Sequence, residues 1–387
     1  MSAEQASRGA SRRILVLEPY YGGSHRAFLD AWVARSRHRF ELLTMPARKW
    51  KWRMRGAALW FADALATSRR PADVLFTSDM LSVADLRALL PAEYRQTPMV
   101  CYFHENQLTY PLSEHDYRDY HFGLTNLTSG LAADAVWFNS AWHRDVFVQA
   151  VKDLLRQMPD HVPPGLSERV AGRAEVFWPV VDTPPGDVLR AAAARGERRD
   201  PLTILWCHRW EYDKDPETFF RTIFRLDESG TDFRLVLAGE SFRAVPSVFE
   251  AAWKRLQPRI LYAGYLKSRP EYWSWLARAE VVVSTALQET FGIAVVESLL
   301  AGCWPVLPDR LSYREILPAE FHAPCLYADE AELFERLTAL CVHRPDPAAA
   351  GGLHREALGM HDAVARTAAL DAAVDRVAES RCQVSGT

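Results

Sequence analysis

Two cations occupy one turn in the second half of the sequence. Arg209 and Lys214 follow the apolar run Leu202–Cys207. The next two residues, Asp215 and Pro216, are typical of the cap and the first position of a helix. A lysine there opposes the helix dipole unless an anion lies between them, and an arginine fork fits a phosphate. The turn therefore predicts a phosphate site, although two solvated loop cations would give the same pattern.

A carboxylate interrupts an apolar segment further along the chain. Glu289 and Gly292 precede a helix that is predicted from Ile293 to Gly302, and Glu297 is the only charged residue within it. Gly292 would let a ligand approach the backbone, and the free amides at the helix start would face a phosphate. A carboxylate on an apolar helix is costly unless it is paired. The pattern indicates either sugar hydroxyls bound by Glu297 or a buried salt bridge with an arginine elsewhere.

These residue types suit the transfer of a glycosyl group. Its transition state resembles an oxocarbenium ion while negative charge grows on the departing diphosphate, so fixed cations and helix amides aimed at the diphosphate stabilise it. Glu289 and Glu297 could also be the two carboxylates of a glycoside hydrolase, although no further acid–base group accompanies them.

Two segments of the first half place polar residues directly after apolar runs. Gly22 and Gly23, followed by His25, form a turn that could admit a phosphate or sugar against backbone amides, although most Gly-Gly pairs are simple turns. The second segment contains His104, Glu105 and Asn106 after the run that ends at residue 103. A polar cluster in this position belongs to a site more often than to a core.

Residues 48–55, named here the basic stretch, combine five cations with two tryptophans. The cations suit phosphates and the indoles suit stacking on bases or riboses, so the basic stretch predicts contact with RNA. A helix whose tryptophans pack inward beneath snorkelling cations would have the same composition.

Both halves alternate short β-branched or aromatic runs with longer periodic segments, which predicts parallel sheets with helices on both faces. The predicted strands are Ile14–Leu17, Val74–Thr77, Met99–Phe103, Ala135–Asn139, Glu175–Trp178, Leu202–Cys207, Phe233–Ala238, Arg259–Tyr262, Val281–Thr285 and Pro305–Leu307. Ser24 is predicted to cap a helix from His25 to Arg35, and Ser140 to cap another. A proline-rich break at 179–201 predicts a domain boundary, and an alanine-rich stretch at 348–378 predicts C-terminal helices.

Composition limits the class of protein. The 387 residues are 49% hydrophobic and 25% charged, which is typical of a folded chain of two or three domains. The net charge of −3 excludes a polycation that coats nucleic acid, and the five cations of the basic stretch leave the rest more acidic still. We find no signal peptide, no apolar run long enough to span a membrane and no C-x-x-C spacing, so we expect a cytoplasmic protein without structural zinc.

Glu289 and Glu297, seven residues apart and preceded by the Arg-x4-Lys turn, resemble the E-x7-E signature and diphosphate-binding cations of retaining GT-B glycosyltransferases. The resemblance implies that Glu289 holds donor sugar hydroxyls, Glu297 holds the nucleotide ribose, and the two cations neutralise the leaving diphosphate without a metal. The donor site predicted in this way consists of Gly22, Gly23, Arg209, Lys214, Glu289, Phe291, Gly292, Ile293 and Glu297.

The segments Leu17–His25 and Cys101–Pro111 resemble the tRNA-queuosine α-mannosyltransferase family, which carries an E-P-Y-x-G-G-S-H and an F-H-E-N-Q element. The resemblance implies transfer of mannose from GDP-mannose to the cyclopentenediol of queuosine in a tRNA anticodon, with retention. It places His104 beside the donor sugar and the two glycines in a loop that closes over the donor. The predicted catalytic residues are His104, Glu289, Arg209 and Lys214. The predicted acceptor or tRNA contacts are His25, Glu105, Asn106, Arg48, Lys49, Trp50, Lys51, Trp52, Arg53 and Arg55.

We therefore expect an α/β protein of the GT-B type, with two Rossmann-like domains facing across a cleft and C-terminal helices packing back on the N-terminal domain. The predicted regions are an acceptor domain at 13–183, a nucleotide-sugar domain at 200–345 and C-terminal helices at 346–387. The residues themselves do not distinguish GDP from UDP, or mannose from another hexose. A GT-B enzyme with a lipid or small-molecule acceptor and a non-catalytic RNA-binding protein of this fold are the alternatives.

Overall fold

The computed structural model describes residues 10–68, 70–112, 117–193, 200–241 and 245–382. It divides the chain into two compact units, Met1–Val180 with Ala363–Thr387, and Val181–Asp362. The border at Val180 and Val181 lies inside the proline-rich break that the sequence analysis identified.

The first unit contains a parallel sheet. Its strands are β1 Arg13–Tyr21, β2 Arg39–Pro46, β3 Val74–Ser78, β4 Met99–Phe103, β5 Ala135–Phe138 and β6 Ala174–Val176. They lie in the order β2-β1-β3-β4-β5-β6, and each neighbouring pair is parallel. The sequence analysis missed β2, because this edge strand is only partly buried and lacks a continuous apolar run.

Helices cover both faces of this sheet. They are α1 Gly23–Val33, α2 Trp50–Thr67, α3 Val83–Leu89, α4 Tyr120–Ala132, α5 Ala141–Arg156 and α6 Leu166–Ala171. Side chains of β1 alternate between two cores, with Leu15 and Leu17 in one and Ile14 and Val16 in the other.

The helix caps test two sequence predictions. Ser140 caps α5 by accepting a hydrogen bond from the amide of His143 at 3.0 Å, as predicted. The prediction that Ser24 caps α1 is wrong. Gly22 stands at the cap position, because the chain turns through the glycine pair, with Gly23 at a φ of 52°.

The second unit repeats this architecture. Its strands are β7 Leu202–Cys207, β8 Phe233–Ala238, β9 Ile260–Gly264, β10 Val281–Val283, β11 Trp304–Pro308 and β12 Leu326–Tyr327. They form a parallel sheet in the order β12-β11-β10-β7-β8-β9. Its helices are α7 Gly186–Ala193, α8 Pro216–Glu228, α9 Val248–Leu256, α10 Arg269–Arg278, α11 Ile293–Leu300, α12 Tyr313–Ile316, α13 His322–Cys325, α14 Glu330–Val342 and α15 Pro347–Met360.

The last helix, α16 Ala363–Cys382, returns to the first unit, as predicted for the C-terminal helices, whereas α15 stays with the second. Leu370 and Val374 of α16 are buried in the core that contains Trp32. The carboxylate of Asp371 accepts hydrogen bonds from the Trp32 indole at 2.9 Å, the Ser36 hydroxyl at 2.6 Å and the Arg37 amide at 2.9 Å.

Among the described residues, no helix is both long and apolar enough to cross a membrane.

Candidate active site

Three loops of the second unit meet at the carboxyl edge of its sheet, where open α/β sheets bind ligands. The hydroxyl of Thr285, after β10, donates to the carbonyl of Lys214, after β7, at 2.9 Å. The hydroxyl of Ser312, after β11, donates to the carbonyl of Glu289 at 3.3 Å. These side chain–backbone bonds bring the two sequence-predicted segments of the donor site together.

The turn that contains Arg209 and Lys214, called here the cation turn, leads into a helix that begins where the sequence predicts. Asp215 caps α8 by accepting from the amide of Thr218 at 3.1 Å, and Pro216 is the first residue of the helix. Asp215 itself has a φ of 47°, a left-handed conformation that reverses the chain between Lys214 and the helix.

Lys214 is almost fully buried, with 7% of its surface exposed. Its Nζ atom donates to the carbonyl of Gln288 at 2.6 Å and to Oε2 of Glu289 at 3.3 Å, and it lies 3.1 Å from Oδ2 of Asp213. Burial disfavours the charged ammonium, but the carboxylates of Glu289 and Asp213 outweigh it and raise the pKa of Lys214. The structure therefore contains a buried cation that is fixed in place by both predicted segments.

Arg209 and Lys214 share Asp213, which the sequence analysis did not identify. One guanidinium nitrogen of Arg209 lies 3.0 Å from Glu211, and the other lies 3.7 Å from Oδ2 of Asp213. Asp213 is fully buried, whereas the side chain of Arg209 is 43% exposed. Arg209 is thus oriented by carboxylates while still accessible to an anion.

Gly292 ends the loop that carries Glu289. Its φ of 92° is left-handed, and an added Cβ atom would lie 3.4 Å from Cγ of Glu289. The helix α11 begins at Ile293, as predicted, and Phe291 is buried beside this turn. A glycine is needed here because the turn is left-handed.

Glu297 is buried on α11 and accepts two hydrogen bonds. Its Oε1 atom accepts from Arg269 at 2.8 Å and its Oε2 atom from the hydroxyl of Tyr272 at 2.7 Å. The salt bridge that the sequence left open is therefore present, with Arg269 as the partner. Each carboxylate oxygen can accept a second hydrogen bond, so the pairing leaves Glu297 able to bind hydroxyl groups.

In the first unit, polar residues gather at the carboxyl ends of β1, β3 and β4. Glu18 is fully buried, and its Oε1 atom accepts from the amide of Tyr20 at 2.7 Å and the hydroxyl of Ser78 at 3.0 Å. Nδ1 of His25 lies 3.3 Å from the same oxygen. The rings of His25 and His104 stack, with centroids 3.9 Å apart and planes inclined by 29°.

A second buried carboxylate belongs to this cluster. Asp79 accepts from the amide of His104 at 2.8 Å. Burial raises the pKa of Asp79 to about 8, since little water remains to solvate the charge, and the charge of Glu105 adds to this effect. Burial also lowers the pKa of His104 well below its ordinary value. Burial therefore favours the neutral form of both Asp79 and His104.

The two residues after His104 differ in their contacts. Asn106 is fully buried, and its side-chain oxygen accepts from the amides of Leu108 and Thr109 at 3.0 and 2.9 Å, so it shapes the loop. Glu105 is partly exposed and accepts from the side-chain amide of Gln107 at 3.0 Å.

Glu18, His25 and His104 form the one group of three metal-ligand side chains that lies within 4.8 Å among the described residues. The lone pairs of an imidazole lie in the plane of its ring. Because the two rings are stacked at a small inclination, their lone pairs do not converge on one ion at the 2.0–2.1 Å that zinc requires. The geometry fits a stacked histidine pair better than a metal site.

Comparisons with known proteins agree with this architecture. Residues 13–181 match the family described as tRNA-queuosine alpha-mannosyltransferase N-terminal, and residues 190–348 match glycosyl transferases group 1. A tRNA-queuosine alpha-mannosyltransferase of Drosophila melanogaster is 35% identical over 342 residues, which are 86% of this chain and 88% of the relative. The chain belongs to the tRNA-queuosine alpha-mannosyltransferase family.

Two further proteins are similar in part or in fold. A GDP-mannose-dependent alpha-(1-6)-phosphatidylinositol dimannoside mannosyltransferase of Mycobacterium tuberculosis is 30% identical over 133 residues, 34% of each chain. The structure of sucrose-phosphate synthase from Thermosynechococcus elongatus has a TM-score of 0.69 at 14% identity, and the match covers 95% of this chain and 100% of that one. This tRNA-queuosine alpha-mannosyltransferase family member is thus a glycosyltransferase of the GT-B fold.

In this family member the basic stretch leads into α2, with Arg48 and Lys49 before the helix and residues 50–55 in its first turns. Its residues separate into two groups. Arg53 is buried, and its guanidinium donates to the carbonyl of Pro46 at 3.3 and 3.4 Å. Trp50 is partly buried and packs on the ring of Phe122 at 5.0 Å. The exposed members are Arg48, Lys49, Lys51, Trp52 and Arg55. Both interpretations of the sequence therefore describe part of the stretch, because some side chains pack inward while four cations and the 60% exposed Trp52 face solvent.

The sequence analysis missed five residues, four of which are identified by a contact with a residue distant in sequence. They are Glu18, Asp79, Asp213, Arg269 and Tyr272. Asp213 is the exception, because it directly precedes Lys214 in the cation turn, and Glu18 also had a local indication as the first residue of the E-P-Y-x-G-G-S-H element.

Proposed function

We propose that this enzyme transfers an α-mannosyl group from GDP-mannose to queuosine in tRNA, with retention and without a metal. The observation that carries the donor half of the proposal is the buried Lys214, held between Glu289 and Asp213. The acceptor half is supported by the extended similarity to the Drosophila melanogaster protein and by the exposed cations of the basic stretch.

The donor site works by charge compensation. When the bond between sugar and diphosphate breaks, negative charge grows on the diphosphate, and the fixed cations Lys214 and Arg209 stabilise that charge more than they stabilise the bound donor. An ammonium has three N–H groups, and those of Lys214 already face Gln288, Glu289 and Asp213. We infer that the diphosphate replaces one carboxylate at Lys214, which releases Glu289 to bind sugar hydroxyls.

The tRNA partner would contact the start of α2. Arg48, Lys49, Lys51 and Arg55 are exposed, and Trp52 offers an indole face for stacking. A cytoplasmic location belongs to the same proposal, since tRNA is abundant there and the five cysteines whose side chains are described are free.

The decisive experiment offers the enzyme a panel of sugar nucleotides and tRNA from cells with and without queuosine, followed by mass analysis of the nucleosides. We expect one hexose to be added to queuosine, with GDP-mannose as the best donor. A hexose on unmodified guanosine would contradict the acceptor, and transfer to a lipid or small molecule without tRNA would contradict the proposal as a whole.

A second experiment isolates the tRNA surface. Charge reversal of Lys49, Lys51 and Arg55 should abolish transfer to tRNA while sparing hydrolysis of the sugar nucleotide, and the salt dependence of tRNA binding should become shallower. Charge reversal of Arg156 and Lys254, exposed by 72% and 73% on other helices, is the matched control and should change neither activity. Equal loss of both activities in the triple variant would indicate misfolding instead.

A further inference from the structure

Three side chains of the first unit form a buried row in which each member contacts the next. Glu18 is fixed at one end by the amide of Tyr20 and the hydroxyl of Ser78, which both donate to its Oε1 atom. The ring of His25 follows at 3.3 Å from that oxygen, and the ring of His104 stacks on it at 3.9 Å. His25 and His104 are only 4% and 6% exposed, so neither ring can turn freely.

We infer that Glu18 is a positioning residue for the transfer reaction: it holds a proton on the ring of His25, and the charged His25 ring keeps the ring of His104 neutral and fixed by stacking. The inference rests on the proposed function only in placing His104 beside the donor sugar.

The groups around the row favour an ion pair between Glu18 and His25. Burial disfavours the charged form of His25, but the carboxylate of Glu18, 3.3 Å away, outweighs it and raises the pKa of His25. A fully buried carboxylate such as Glu18 is costly without a charged partner, and His25 supplies one. Asp79 keeps its own proton, since burial raises its pKa to about 8. The cluster therefore holds a charged Glu18–His25 pair beside a neutral Asp79.

The surroundings of His104 favour its neutral form. Burial lowers its pKa first, and the charge of His25 would repel a second proton. The other titratable group near His104 is His143 on α5, whose own pKa burial lowers to about 3, so it adds no charge at neutral pH. The cluster therefore gathers charged or titratable groups from β1, α1, α5 and the loops after β3 and β4.

A neutral His104 is what the transfer chemistry requires. The sugar gains positive charge as its bond to the diphosphate breaks, so an imidazolium beside it would destabilise the transition state. A neutral ring can still donate or accept one hydrogen bond to a sugar hydroxyl. The charge of His25 is compensated by Glu18 on its other side, so the row presents a fixed, uncharged imidazole.

The test uses the full chain labelled with 15N-histidine, and long-range proton–nitrogen spectra recorded from pH 5.5 to 8.5 report the protonation of each ring. In the wild type we expect both nitrogens of His25 to carry protons at pH 7 and His104 to be neutral throughout. Glu18→Gln should let His25 lose its proton at a lower pH. It should reduce kcat about ten- to a hundredfold, because His104 is then misplaced. It should also move the acid limb of the kcat profile to higher pH, because His104 gains a proton more readily once His25 is uncharged.

Ser78→Ala is the matched control, because it removes one hydrogen bond to Glu18 but keeps the carboxylate. It should leave the histidine spectra and the shape of the pH profile unchanged. A neutral His25 in the wild type at pH 7 would overturn the inference even if Glu18→Gln does not fold, and so would unchanged histidine titrations in Glu18→Gln. The spectra need no substrate, so a failure of the proposed acceptor would appear only in the transfer assay.

Discussion

The buried cation Lys214 offers the sharpest test of the donor site. Its ammonium contacts Asp213, Glu289 and the carbonyl of Gln288. A substitution therefore removes the positive charge proposed to face the diphosphate, and it also leaves two carboxylates without their cation. Lys214→Met alone would mix these two effects. The double variant Lys214→Met/Asp213→Asn limits the second effect, because it removes the fully buried carboxylate together with the cation and leaves only the partly exposed Glu289 without its ammonium.

The expected loss follows from one charge-assisted contact. Such a contact contributes about 1.5–3 kcal/mol, and each 1.36 kcal/mol changes a rate about tenfold. We therefore expect the double variant to lose about ten- to a hundredfold or more in kcat, since the contact is strongest when the diphosphate leaves. The single variant should lose more and should also be less stable, because Asp213 then remains buried without its nearest cation.

The assay is single-turnover transfer from sugar nucleotide to tRNA, with hydrolysis of the donor measured in parallel. Arg209→Ala, which removes the more exposed cation, should also lose about ten- to a hundredfold. If the double variant kept nearly wild-type turnover, the loss in the single variant would come from unpaired carboxylates, and Lys214 would have no role in stabilising the leaving group.

Three further outcomes can be measured on the same protein. Arg269→Ala should raise the KM for the donor about three- to tenfold with little change in kcat, because Arg269 orients Glu297 from a half-exposed position; a fall in kcat alone would contradict this. Asp371→Asn should destabilise the first unit by about 1–3 kcal/mol in urea unfolding, since the carboxylate accepts three hydrogen bonds, and equal stability would contradict it. Asp79 has a pKa raised by burial to about 8, so the folded chain keeps a proton that the unfolded chain releases above about pH 4. Stability should therefore fall as the pH rises from about 4 to 8, and Asp79→Asn, which cannot ionise, should remove this part of the pH dependence in unfolding measured at several pH values.

The candidate donor residues could be proposed from the sequence because their chemistry is encoded locally. Arg209, Lys214 and the cap Asp215 lie within one turn, and Glu289 and Glu297 lie within one loop and helix, so spacing alone places them at strand ends. The sequence could not show that Lys214 is bound by Glu289, since 75 residues separate them and only the adjacent positions of β7 and β10 bring them together. The same holds for the contact between Arg269 and Glu297.

The fold was predictable wherever a strand is buried on both faces. β3, β4, β7 and β8 appear in the sequence as continuous apolar runs, and their predicted bounds differ from the structure by at most one residue. β2 and β12 lie at sheet edges and lack such runs, because a partly exposed or two-residue strand needs little apolar sequence. The start of α2 could not be recognised in the sequence either, because the many cations of the basic stretch interrupt the apolar pattern to which the buried residues Met54 and Ala57 belong.

The two units hold different ionisable groups at the carboxyl edges of similar sheets. In the second unit, cations are held in the site although Lys214 is nearly fully buried, which is unfavourable unless an anion or a carboxylate accompanies it. In the first unit, burial raises the pKa of Asp79 and lowers that of His104, which favours the uncharged form of each. Glycosyl transfer makes both demands at once, since the leaving diphosphate needs positive charge while the sugar tolerates none beside it. A chain that required only RNA binding would gain nothing from burying a lysine between two acids, so this costly arrangement is best explained by catalysis.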